Sequence, residues 1–123
     1  MASFFNKVKV IFIFFLYHSI RNIIDKIGMA DKLEIEQLFA ECIGTYIFFM
    51  CILQSSDPLP VVVGLLAAIY IFGKVSGGFF NSTLTIVMYL KGTIDAVKMF
   101  AYIVAQIVGG ALALATWKIL NNK

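Results

Sequence analysis

Asn81 sits at a turn, Ser76-Gly77-Gly78-Phe79-Phe80-Asn81-Ser82-Thr83, between two apolar stretches. Its side chain holds one acceptor oxygen and an amide with two donors. As an N-cap, the oxygen accepts from the orphan N–H groups of a helix opened by Ser82 and Thr83. The amide is then able to donate to a passing solute oxygen. Gly77 and Gly78 adopt torsions that other residues resist, so the carbonyls of Gly77, Gly78 and Phe79 are offered as acceptors along an entry path. Such a line suits a small neutral solute that forms hydrogen bonds. Cations are repelled by the partial positive charge at the helix N-terminus. No covalent chemistry is indicated. The chain has no Ser/His/Asp set, no carboxylate pair in a cleft, no phosphate loop and no metal-ligand spacing, so neither an enzyme nor a cofactor is expected.

The elements that carry this turn are membrane elements. The chain has 123 residues, of which 61% are hydrophobic, and its mean hydropathy is +0.93. That is too apolar for a soluble domain of this size. Residues 38–53, 59–75 and 97–117 are each apolar and near the length of roughly 20 residues that a bilayer crossing needs. Residues 84–90 are too short to cross. Broken backbone inside lipid is tolerated only where protein buries it or where it lines a water-filled path. The turn is therefore expected to be re-entrant, with residues 83–90 as a half-helix whose N-terminus points to the bilayer centre. The alternative is a cytoplasmic turn and an amphipathic helix, for which residues 84–90 are too apolar. The expected class is all-α and integral to a membrane, with three transmembrane helices, one re-entrant half-helix and an N-terminal interfacial helix.

Glu41 lies early in the first span, and an ionisable residue at that depth marks a functional site by default. Its carboxylate is expected to accept backbone N–H groups of the irregular loop at residues 76–80, in this chain or in a partner. The alternative is a helix-end glutamate at headgroup level. Gln106 in the third span is expected to brace the same loop. Ala101, Ala105, Gly109 and Ala113 recur every four residues and, with Gly44, favour close helix packing. Val61 is expected to face the constriction. Cys42 and Cys51 lie about 13 Å apart along one helix and cannot bridge; they read as small packing residues.

Charge sets an orientation. Lys7, Lys9, Arg21, Lys26 and Lys32 precede the first span, Lys91 and Lys98 lie before the third, and only Lys118 and Lys123 follow it. The positive-inside rule places the N-terminus in the cytoplasm. Residues 1–32 form a segment apart from the membrane domain at 33–123. Its basic and aromatic residues are set among too many apolar ones for nucleic-acid binding. An interfacial amphipathic helix is the preferred reading. A signal peptide lacks a small-residue cleavage site, and translation from Met29 is a third possibility. His18 reads as a surface or headgroup-level residue.

Three motifs in order resemble the major intrinsic protein family, the aquaporins and glycerol facilitators. Ala40-Glu41-Cys42-Ile43-Gly44-Thr45 is similar to its A-E-x-x-G-T. Residues 76–85 are similar to its S-G-x-H-x-N-P-A-V-T loop, and Ala105-Gln106-Ile107-Val108-Gly109 to its A-Q-x-x-G. The resemblance covers about residues 36–120. It departs from the family where Ser82-Thr83 replaces Pro-Ala and where Phe79 replaces the loop histidine. The resemblance is to the first of two inverted repeats, each of which supplies one half-helix to a single pore. It implies a half-channel that passes water or small neutral solutes such as glycerol once a second half is present, either from an antiparallel homodimer or from a separately encoded second-repeat protein. Charge asymmetry opposes dual insertion of the full chain, less so for one starting at Met29. Two other classes are a non-conducting membrane protein that uses a remnant fold for packing or partner binding, and a membrane anchor that recruits a partner through residues 1–28.

Overall fold

The computed structural model describes residues 14–15, 17–22 and 34–121. The chain divides into two compact units, Met1–Lys32 and Leu33–Lys123. In the first, residues 14–15 and 17–22 are helical. Phe14 and His18 lie one turn apart and stack their rings, with centroids 6.4 Å apart. The expectations attached to Lys7, Lys9, Lys26, Met29, Lys32 and Lys123 lie outside the described residues.

The second unit contains α1 (Ile35–Gln54), α2 (Pro58–Ser76), α3 (Ser82–Leu90) and α4 (Ala96–Asn121). Helices α1, α2 and α4 have 20, 19 and 26 residues and are apolar enough to cross a membrane. Helix α3 has 9 residues, which is about 14 Å and half of a core roughly 30 Å thick. The protein is an all-α integral membrane protein with three spans and one re-entrant half-helix.

Polar residues cap the N-termini of α2 and α4. Asp57 accepts the Leu59 N–H at 3.0 Å, while Pro58, in the first turn of α2, has no N–H to satisfy. Gly77 ends α2 in the left-handed region at φ +96, and its N–H donates to the Gly73 carbonyl at 2.9 Å. Asp95 caps α4 by accepting the Lys98 N–H at 2.8 Å. Lys74 falls in the last turn of α2, at the end of the bundle where α4 begins.

Cross-helix contacts fix the directions. Tyr102 donates to Gln37, Gln106 donates to Glu41, and Asn121 donates to Gln54, so α1 and α4 run parallel. Ser76 meets Glu41 and Gly64 lies against Cys51, so α2 runs antiparallel to α1. Two glycines set these approaches. A Cβ at Gly109 would meet the Cys42 carbonyl, and one at Gly64 would meet the Cys51 sulfur. Of the small residues spaced by four on α4, Gly109 and Ala113 are buried, while Ala101 and Ala105 are half-buried. Four residues rotate about 40° beyond a full turn, so that row drifts off the contact. The buried stripe is Met99, Tyr102, Gln106, Gly109 and Ala113.

Candidate functional site

Between α2 and α3 the chain doubles back through Gly77 (φ +96), Gly78 (φ +69) and Phe80 (φ +47). A positive φ is unusual for a bulky residue, and the surroundings impose it here. The Phe80 ring is fully buried and occupies the space that a side chain at Gly44 would need. The Phe80 N–H is drawn to Glu41 at 2.7 Å.

Glu41 is the anchor of the loop. It is 0% exposed, and each carboxylate oxygen accepts two hydrogen bonds. Oε1 accepts from the Ser76 hydroxyl at 2.6 Å and the Phe79 N–H at 3.0 Å. Oε2 accepts from the Phe80 N–H at 2.7 Å and Gln106 Nε2 at 2.8 Å. Ser76 Oγ in turn accepts the Gly78 N–H at 3.1 Å. Backbone donors that lipid would leave unpaired thus converge on one acceptor-only group.

Gln106 links this anchor to the half-helix. Its Nε2 also donates to Thr85 Oγ1 at 2.8 Å, and the Thr85 hydroxyl donates to the Asn81 carbonyl at 2.9 Å. With Nε2 fixed by two acceptors, Oε1 faces the other way. Gln106 Oε1 and Thr45 Oγ1 are buried without a hydrogen-bond partner among the described residues.

Asn81 caps α3. Its Oδ1 accepts the Thr83 N–H at 2.8 Å and the Leu84 N–H at 3.2 Å. Its amide nitrogen makes no hydrogen bond among the described residues, and the side chain is exposed. A 340 Å³ cavity beyond the helix tip is lined by Thr45 and Phe49 of α1, by Asn81 to Thr83, and by Gln106 and Gly110 of α4. Thr45 and Gln106 each lie about 15 Å along their helices, so the tip stands at mid-membrane. A second cavity of 660 Å³ lies on the α2 side and is lined by Leu65, Ile69, Gly78, Phe79, Asn81 and Thr83, among others.

The structure places the residues expected at the site as follows. Glu41 and Gln106 meet the loop within this chain. Gly78, Phe79 and Asn81 line the larger cavity. Among the described residues no hydrogen bond ends on the carbonyls of Gly77, Gly78 or Phe79. Val61 is half-buried and lines neither cavity; α2 contributes Leu65 and Ile69 instead, one and two turns closer to the loop. The Phe79 side chain is buried, with its ring edge-on to Tyr102 at 5.7 Å. Tyr102 carries no weight in the sequence reading, because a tyrosine near a span end reads as an interfacial residue. In the fold its hydroxyl lies 2.8 Å from the Ser76 carbonyl and 3.0 Å from Gln37 Oε1, which ties the end of α2 to α4.

The family model described as Major intrinsic protein matches residues 59–123. The chain belongs to the major intrinsic protein family. It is similar to the Glycerol uptake facilitator protein-like 6 of Lactiplantibacillus plantarum, at 34% identity over 88 residues that cover 64% of this chain and 41% of that protein. Nodulin-26 of Glycine max is 29% identical over 118 residues, covering 81% of this chain and 44% of the relative. Aquaporin Z of Photorhabdus laumondii is 39% identical over 58 residues, 47% of this chain and 25% of the relative. The matches thus span less than half the length of these major intrinsic proteins. No solved structure matches the chain.

Proposed function

We propose that this major intrinsic protein is a half-channel subunit for passive permeation of water or small neutral solutes of the glycerol kind. One observation carries the reading. Asn81 uses its oxygen to cap a half-helix at mid-membrane, its amide makes no hydrogen bond among the described residues, and its loop is held by a carboxylate that accepts four hydrogen bonds. The amide donates to a solute oxygen, the carbonyls of Gly77, Gly78 and Phe79, on which no hydrogen bond ends among the described residues, accept along the approach, and Leu65 and Ile69 of α2 supply an apolar wall. Nothing in this passage requires a bond to be made or broken, in keeping with a channel and not an enzyme.

The described residues bring one half-helix to the pore. A pore lined on both sides needs a second, from a copy inserted in the opposite orientation, from a separately encoded chain, or from further sequence. Lys74, Lys91 and Lys98 lie at one end of the bundle and Lys118 at the other, which supports a cytoplasmic N-terminus for α1. The test is reconstitution into liposomes and an osmotic step followed by light scattering. Swelling faster than in empty liposomes is expected. Permeability equal to that of empty liposomes, with a verified folded protein and its second half present, replaces the channel with a packing or partner-binding role.

A further inference from the structure

We propose that the N-terminal unit carries a docking surface for anionic phospholipid, centred on Phe14, Tyr17, His18 and Arg21. The proposal stands apart from the channel reading above. The charge of the chain is unevenly placed. Five lysines or arginines and two aspartates lie in residues 1–32, while five basic and five acidic residues follow. The net charge of +3 thus belongs wholly to the first compact unit.

Within that unit, Phe14, Tyr17, His18 and Arg21 are spaced three and four residues apart, which puts them on one helical face. Two pairs one turn apart build the face. The Phe14 and His18 rings stack, and Arg21 Nη1 donates to the Tyr17 hydroxyl at 3.5 Å. Phe14 is 70% exposed, and His18 and Arg21 are exposed with it. Aromatic rings beside a guanidinium suit neither water nor hydrocarbon alone. Such rings settle at the headgroup level of a bilayer. The Arg21 stem lies along apolar surface while its head forks onto phosphate oxygens.

The tether selects lipid over a soluble partner. Helix α1 starts at Ile35, fourteen residues after Arg21, and that length of chain spans at most about 50 Å. The bilayer around α1 is therefore always within reach, and docking is an intramolecular event. A leaflet of negative headgroups attracts each lysine or arginine held near it. The excess positive charge of the unit gives that leaflet the advantage over zwitterionic lipid.

The test places one tryptophan on this face of the full chain, Phe14→Trp with Trp117→Phe. The protein is reconstituted in vesicles of phosphatidylcholine alone, or of phosphatidylcholine and phosphatidylglycerol in equal parts. Both carry the same small share of lipid brominated high on its acyl chains, and the docked fraction is read from the quenched lifetime component. Stronger quenching in the mixed vesicles, weakened by sodium chloride, is expected. In that background Arg21→Gln lowers the docking constant about fivefold, the worth of one basic residue at an anionic surface, and Arg21→Lys restores it. Equal quenching in both vesicles leaves an apolar contact alone and overturns the proposal. Absence of quenching in either places the face away from lipid and overturns it too. Release by inorganic phosphate beyond that by sodium chloride of equal ionic strength assigns the face to a free anion and overturns the choice of lipid.

Discussion

Replacing Glu41 by glutamine is the sharpest perturbation of the loop, because it changes one atom and almost no volume. The carboxylate accepts four hydrogen bonds, two on each oxygen. An amide keeps one acceptor oxygen and turns the other into a donor. If the new NH₂ takes the Oε2 place, it faces the Phe80 N–H and Gln106 Nε2, and both lose their acceptor. If it takes the Oε1 place, the Ser76 hydroxyl rotates to accept, but the Phe79 N–H is left unpaired. The second arrangement is the cheaper. It strands one buried donor at about 1–3 kcal/mol, and the surviving bonds weaken from charge-assisted to neutral, roughly 1 kcal/mol each. The expected loss for Glu41→Gln is therefore about 3–6 kcal/mol, a large part of a typical stability of roughly 5–15 kcal/mol. Reversible unfolding in bicelles, followed by tryptophan fluorescence of Trp117 and by far-ultraviolet circular dichroism, measures it. A change below about 1 kcal/mol would refute the assignment of Glu41 as the acceptor for the loop backbone, since isosteric replacement leaves no other route to so small a cost.

The glycines of the fold separate close approach from backbone strain. At Gly109 an added methyl meets the Cys42 carbonyl, which is backbone and cannot rotate aside, so Gly109→Ala should cost about 3 kcal/mol or more. Gly92 has φ +81 and open space around it, and Gly92→Ala should cost about 1 kcal/mol from strain alone; equal effects in thermal unfolding would contradict the α1–α4 contact. For orientation, a membrane-impermeant maleimide applied to intact cells should label the cysteine introduced by Lys118→Cys and not that introduced by Lys91→Cys. Equal partial labelling of both would replace the single orientation with dual insertion.

Much of this site is legible in the sequence, for a physical reason: lipid supplies no hydrogen bonds. Glu41 and Gln106 inside apolar runs must therefore find protein partners, and a glycine pair inside a hydrophobic region signals a broken backbone that needs donors and acceptors. Those demands point at each other before any coordinates exist. Asn81 is legible as a cap because its residue type and its place before an apolar helix agree. Other features carry no such signal. The Ser76 hydroxyl bond to Glu41 looks like any serine at a helix end. The positive φ of Phe80 is imposed by Gly44 and Glu41 from another helix, and nothing in the Phe80 residue type announces it. The Phe79 ring turns away to Tyr102 because an edge-on aromatic contact is available there, at a sequence distance no local pattern reveals. Val61, expected at the constriction, lies on α2 one turn farther from the loop than Leu65, and its residue type does not mark which wall it faces.

Solute flux through Asn81→Asp proteoliposomes, compared with wild type at matched protein content and matched thermal stability, tests the role of the loop most directly. The substitution keeps an oxygen to cap Thr83 and Leu84, removes the amide donor, and places a carboxylate at mid-membrane. The expected result is a protein that folds like wild type and loses most of its water and glycerol permeability. Unchanged rate and selectivity would contradict the assignment of the Asn81 amide as the group that meets the solute.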